Sequence, residues 1–213
     1  MHEITSDTFI TNSKSLASMR SGGLIALEGI DGSGTTTHSR ILYERICRMG
    51  MRAFLTYEPT DGPIGRIIRD FLSGKLRVEH DVLALLFAAD RLFHVHEISG
   101  MTKDRFVITD RYLFSSIAYQ GLFLPENWVR SINSRAPLPD LAILLDIDAD
   151  TAIERIKNRE RKEIFEDRDK LERIRERFLS LKDEFNMFVV DSRRPIEVVA
   201  DEIWSIFRKW AGI

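Results

Sequence analysis

Residues 29–37 read Gly-Ile-Asp-Gly-Ser-Gly-Thr-Thr-Thr and follow the apolar run Leu24–Leu27. Gly29, Gly34 and Thr36 fit the phosphate-loop pattern G-x-x-x-x-G-K-[ST] at three of its four fixed positions. Glycines at such spacing let backbone N–H groups turn inward onto phosphate oxygens, and the helix that follows adds the positive end of its dipole. The loop residues Gly29, Ile30, Asp31, Gly32, Ser33 and Gly34, with Thr35, Thr36 and Thr37 at the helix start, are therefore the expected cradle for a nucleotide's phosphates. Thr36 is the expected hydroxyl ligand of Mg²⁺. The lysine position holds Thr35. A charged hydrogen bond contributes ~1.5–3 kcal/mol, so losing it slows transfer roughly 10- to 150-fold unless another cation substitutes. Arg159 and Arg161 are candidates for that cation.

A second group of residues suits an acceptor. Asp110 and Arg111 end the apolar run Arg105–Thr109, at the sheet edge where ligands of open parallel sheets bind. Asp110 could hold the metal through water, and Arg111 could clamp a phosphoryl group with two parallel hydrogen bonds. Arg69 closes the segment Tyr57–Arg69 that leaves a neighbouring strand edge. Phe87 and Arg91 stand four residues apart, on one face of a helix. That pair suits a planar base, with the ring stacking and the guanidinium reaching a carbonyl.

The elements that must position these residues are legible from periodicity. Five short apolar runs, at 24–28, 52–57, 105–109, 141–147 and 187–191, read as buried strands separated by segments of helical period. Ile64, Ile67, Ile68, Phe71 and Leu72 make one apolar helix face, a long helix begins near Val82, and residues 196–210 close the chain as a helix. Strand alternating with helix predicts an α/β fold, a five-stranded parallel sheet covered on both faces in three α/β/α layers. The charge run 154–177 reads by itself as a solvated helical hairpin.

Length and composition set the frame. A chain of 213 residues fits a single domain, here expected at 23–213, after a polar and flexible N-terminal extension over 1–22. A net charge of −2 gives no electrostatic reason to expect nucleic acid or membrane as a partner. A single cysteine, Cys47, fits a reducing cytoplasm.

The stretch Asp110–Gly121, DRYLFSSIAYQG, closely resembles a signature of thymidylate kinases, within the nucleoside-monophosphate kinase group of P-loop folds. LEGIDGSG, EPTDGPIGRIIR, LLFAADR, PDLAILLDIDADTAIERI and VVDSRRPIEVV are similar to further family segments, in family order, over residues 24–207. The resemblance implies transfer of the γ-phosphoryl of ATP to dTMP with Mg²⁺, for dTTP synthesis, by a homodimer. It implies that Asp31 meets the deoxyribose 3′-hydroxyl, that Glu58 contributes to the acceptor pocket, and that Arg69 and Arg111 hold the acceptor phosphate. Phe87 would stack on thymine, Arg91, Ser116 and Gln120 would bond its edge, and Tyr119 would lie where a ribose 2′-hydroxyl would go. The charge run becomes a lid at about 157–168, with Arg155, Arg159 and Arg161 reaching donor phosphates, while Ser192 and Arg193 stand beside adenine. Thr35 departs from the family pattern. It leaves open a nucleotide-binding paralogue with weak or no catalysis, and a kinase for another deoxynucleotide.

Overall fold

A computed structural model describes residues 19–157 and 167–213. Five strands form one sheet: β1 (Gly23–Glu28), β2 (Ala53–Tyr57), β3 (Phe106–Asp110), β4 (Leu141–Asp146) and β5 (Phe188–Asp191). The order is β2-β3-β1-β4-β5 and every pairing is parallel. The strands expected from the apolar runs all occur, with ends moved by a residue or two. The largest consequence is that β3 extends to Asp110, which pairs in register with Leu27 and Tyr57.

Both faces of the central strands β1, β3 and β4 are buried, which is why they read as continuous apolar runs and not as alternation. Ile25 and Leu27 of β1, Phe106 and Ile108 of β3, and Ile143 and Leu145 of β4 pack against α1 (Thr35–Arg48) and α8 (Ile196–Ala211). Their neighbours Leu24, Ala26, Val107, Ala142 and Leu144 face the opposite layer. That layer holds α2 (Pro63–Leu72), α3 (His80–Ile98), α4 (Leu113–Tyr119), α5 (Glu126–Ile132), α6 (Ala149–Ile156) and α7 (Arg168–Leu181). Three layers result, as expected.

All five strands run the same way, so the loops after β1, β2, β3 and β4 leave from one edge and meet there. The hairpin expected in the charge run is present at its flanks. Arg168 at the start of α7 pairs with Asp150 of α6 through Nε and Nη2, at 2.7 and 2.9 Å. Arg159 and Arg161, and most of the expected lid, lie outside the described residues. So do residues 1–18 of the expected extension. Its remaining part is in place: Arg20 N–H donates to the Ala211 carbonyl at 2.9 Å, and its guanidinium lies 4.7 Å from the Trp210 ring.

Candidate active site

The phosphate loop joins β1 to α1. Gly32 has φ 86°, and a Cβ there would lie 2.6 Å from the Ala152 carbonyl oxygen. Gly34, with φ 93°, is the residue from which α1 starts. Both conformations suit glycine and strain other residues. The first turn of α1 has neither a side-chain cap nor an acidic residue, the arrangement an anion-binding helix start requires. Gly32, Gly34, Thr35, Thr36 and Thr37 line one cavity of about 440 Å³. Ile30 and Ser33 are instead buried and do not line the cavity.

Thr36 Oγ1 donates to Asp110 Oδ2 at 2.5 Å, bringing the two expected metal residues together. Asp110 Oδ1 is buried without a protein hydrogen-bond partner. A hydroxyl beside a carboxylate with an unused oxygen fits Mg²⁺, which binds through one or two protein oxygens and completes its shell with phosphates and water. Among the described residues no cluster of three or more His, Cys, Asp or Glu side chains forms an alternative metal cage.

Arg111 follows Asp110 and has φ 68°. Its Nη1 donates to the Gly29 carbonyl at 2.6 Å, and its Nη2 donates to Asp31 Oδ1 at 2.5 Å. Burial works against its charge. The nearby carboxylates Asp31, Asp110 and Glu28 oppose that, so the guanidinium is held in its charged form. Tyr119 lies beneath it, 5.4 Å from the guanidinium carbon, and its hydroxyl accepts from the Asp31 N–H at 3.1 Å. Burial pushes the Tyr119 phenol well above its usual range, so it remains neutral.

Arg91 lies at the far end of the cavity and is 2 % exposed. Its Nε and Nη2 meet Glu58 Oε2 at 2.9 and 2.8 Å, Nη1 donates to Ser116 Oγ at 2.9 Å and to Asn133 Oδ1, and Nη2 donates to the Tyr112 carbonyl at 3.1 Å. Glu58 Oε1 in turn meets His94 Nδ1 at 2.9 Å, and His94 Nε2 meets Thr56 Oγ1 at 2.8 Å. Gln120, 5 % exposed, has its Oε1 buried without a protein partner at the cavity wall. Phe87 and Leu72 line the cavity with apolar surface.

Arg69 also lines the cavity, and its guanidinium donates to the Pro59 and Thr60 carbonyls at 2.7 and 2.6 Å and to Asp61 at 2.8 Å. Thr60 is held in turn by Asp90, which accepts from its N–H and its hydroxyl, both at 2.7 Å. The expected donor residues Arg155, Ser192 and Arg193 stand outside this cavity. Arg155 Nη2 donates to the Ser192 carbonyl at 2.8 Å and Nη1 to the Gly32 carbonyl at 3.4 Å, bridging the loop and the turn after β5. Arg193 is exposed and pairs with Asp191, whose carboxyl it holds down at about 2.

Sequence reasoning passed over Glu28, Tyr57, Asp90, His94, Ser115 and Asn133. Glu28 is fully buried, and burial pushes its carboxyl up to about 7 against the opposing Ser115 hydrogen bond and the Arg111 and Arg91 charges. A charged residue ending a buried strand was the one available signal. His94, one helical turn beyond Arg91, carried a weaker one.

Residues 27–203 match the family model described as "Thymidylate kinase". A protein named "Probable thymidylate kinase" from Methanocaldococcus jannaschii is 46% identical over 181 residues, covering 84% of this chain and 92% of its own length. "Probable thymidylate kinase 1" from Saccharolobus solfataricus is 42% identical over 190 residues, covering 87% and 97%. "Putative thymidylate kinase" from Aeropyrum pernix is 44% identical over 156 residues, covering 71% and 74%. With the loop, the Asp110–Arg111 turn and the cavity between them in the arrangement described, the chain belongs to the thymidylate kinase family.

Proposed function

We propose that the protein transfers the γ-phosphoryl group of ATP to dTMP, giving dTDP and ADP. The observation that carries the reading is the content of the cavity beside the phosphate loop. It combines two arginines suited to a phosphate, Arg69 and Arg111, an aromatic ring, Phe87, and a buried unpaired carboxamide oxygen, Gln120 Oε1. A nucleoside would bring no phosphate to these two cavity-lining arginines.

An acceptor phosphate oxygen attacks the γ-phosphorus, a new P–O bond forms, and the bond to the β-phosphate bridging oxygen breaks to release ADP. Little covalent chemistry falls to the protein, so alignment and charge neutralisation supply most of the acceleration. Loop amides and the α1 start hold the donor phosphates, while Arg111 and Arg69 hold the acceptor phosphate. Phe87 stacks on the base. Gln120 Oε1 accepts from the base N–H, and Arg91 and Ser116 face its carbonyl edge. Asp31 receives the 3′-hydroxyl, and Tyr119 occupies the place of a 2′-hydroxyl. Thr36 and Asp110 would hold Mg²⁺, which when bound neutralises the donor phosphates. Arg159 and Arg161 of the lid supply the cation that Thr35 does not, with Arg155 at the loop's edge. Arg193 and Ser192 form the wall beside adenine.

A homodimer is supported by Val82, Leu85 and Phe93, apolar, exposed and on one side of α3, with exposed Ile67 on α2. Replacing Leu85 and Phe93 by aspartate and measuring the mass in solution tests it. No helix among the described residues is long and apolar enough to cross a membrane. Cys47 is exposed and forms no disulfide, in keeping with a reducing compartment, and we place the enzyme in the cytoplasm. The deciding experiment is a coupled ADP-release assay with dTMP, dUMP, dGMP and thymidine. The expected result is turnover highest with dTMP. Tight dTMP binding without ADP release would overturn the reading.

A further inference from the structure

Glu28 is the last residue of β1, fully buried, and none of the roles above uses its side chain. Its carboxylate collects three hydrogen bonds from one short stretch of chain. Oε1 accepts from the backbone N–H groups of Tyr112 and Phe114 at 3.1 and 3.2 Å, and Oε2 accepts from the Ser115 hydroxyl at 2.6 Å. Those donors form the turn from β3 into α4, a helix that has no cap from its own preceding residue. Burying a carboxylate is costly, and an apolar residue would continue the run Leu24–Leu27 without that cost.

What these bonds enclose is Arg111. Its backbone lies in the left-handed region at φ 68°, a conformation disfavoured for a residue with a side chain. Hydrogen bonds fix the turn on both sides of it. Arg111 N–H donates to the Leu27 carbonyl at 2.9 Å, its own carbonyl accepts from Thr109 Oγ1 at 2.7 Å, and the next N–H, that of Tyr112, donates to Glu28. Ser115 Oγ, held by Glu28 Oε2, is also 3.4 Å from Arg111 Nη1. One side chain therefore holds both the peptide that follows the strained residue and the hydroxyl beside its guanidinium.

We propose that Glu28 is the positioning residue of the acceptor-phosphate clamp, fixing the Arg111 backbone through Tyr112 and Phe114 and its guanidinium through Ser115. The inference rests on Arg111 holding the acceptor phosphate. Glu28 touches no substrate in this account. Its loss releases the Tyr112–Ser115 turn around Arg111, while the guanidinium keeps its bonds to the Gly29 carbonyl and Asp31 of the loop, so the larger loss is expected for dTMP.

The test is steady-state kinetics on the full chain, with dTMP and ATP varied independently, beside a thermal melt. Glu28→Gln keeps one carbonyl oxygen for the backbone N–H groups and replaces the other acceptor by a donor. It is expected to lower kcat/KM for dTMP about 30-fold, with KM for ATP changed by less than about twofold. Ser115→Ala is expected to lower kcat/KM for dTMP about fivefold, and the double variant to be no worse than Glu28→Gln alone, the signature of one shared pathway. Equal losses for dTMP and ATP, or a dTMP kcat/KM within about twofold of wild type in Glu28→Gln, would overturn the proposal. Should Glu28→Gln fail to fold, Ser115→Ala decides, and an unchanged kcat/KM for dTMP in it overturns the proposal. Arg111→Ala separates the two levels. A fully active Arg111→Ala removes the clamp reading and the inference with it, whereas an inactive Arg111→Ala beside a Glu28→Gln within about twofold of wild type removes the inference alone.

Discussion

Thr36 and Asp110 are separated by 74 positions in the chain and by 2.5 Å in the fold. The parallel pairing of β1 with β3 produces this meeting, because it brings the loop after β1 and the end of β3 to one edge. The remaining Asp110 oxygen is buried without a protein partner. A divalent cation placed here would therefore gain a hydroxyl and a carboxylate without displacing other protein contacts.

Asp110→Asn removes the charge and keeps the shape. It is expected to raise the Mg²⁺ concentration needed for half-maximal rate at least tenfold and to reduce kcat about 100-fold at saturating Mg²⁺. Titrating Mg²⁺ at fixed ATP and dTMP measures both. An unchanged Mg²⁺ requirement would remove Asp110 from the metal's surroundings.

Thr35 lines the cavity in the position where the loop pattern has lysine. Thr35→Lys is expected to raise kcat, or lower KM for ATP, by up to roughly 10- to 150-fold, the value of one charged hydrogen bond. The ratio of dTMP to dUMP turnover should stay constant, because the base pocket around Phe87 and Gln120 lies away from the loop. A changed ratio would mean that the loop is misplaced.

Arg91 and Glu58 form a buried pair with side chains 2% and 3% exposed. Arg91→Met leaves Glu58 buried without its guanidinium partner, and breaking such a pair costs about 3–5 kcal/mol. For a chain of this size that is a fall of roughly 6–20 °C in melting temperature. Arg91→Lys should recover little, since one ammonium cannot reproduce contacts spread over Glu58, Ser116, Asn133 and the Tyr112 carbonyl. Differential scanning calorimetry of both variants checks this. Melting within about 2 °C of wild type in Arg91→Met would show the pair to be dispensable.

These residues also show what could be read before the fold was known. The strands were legible because a sheet buried on both faces forces unbroken apolar runs, as in Leu24–Leu27 and Leu141–Leu145. The loop glycines and the Asp110–Arg111 turn were legible because their chemistry is local. The surroundings of Arg91 were not: Glu58 and Asn133 are 33 and 42 positions away and meet it only when α3 and α5 pack over the sheet edge. For the same reason Asp90 gave no sign of holding Thr60, 30 positions earlier. Glu28 was hidden only in part. Its place at the end of the buried run 24–28 was legible, but its partners were not, because the Tyr112 N–H that bonds its carboxylate lies 84 positions away.

That burial makes Glu28 a source of pH-dependent stability. Burial raises its carboxyl from 4.5 to about 7, against the Ser115 hydrogen bond and the charges of Arg111 and Arg91 and with a smaller push from Glu58. The folded chain thus binds the Glu28 proton more tightly than the unfolded chain does. This contribution is fully present below pH 4.5 and is lost as pH rises through about 7. Between pH 5 and pH 8 the loss amounts to roughly 2–3 kcal/mol, because each tenfold difference in proton affinity is worth about 1.4 kcal/mol. Glu28→Gln cannot ionise and lacks the effect. Urea unfolding of both proteins at the two pH values isolates it, because every other titrating group cancels in the comparison. The stability of wild type relative to Glu28→Gln is expected to fall by that amount from pH 5 to pH 8. A pH-independent difference would place the Glu28 carboxyl back in its ordinary range, and its three donors would then outweigh its burial.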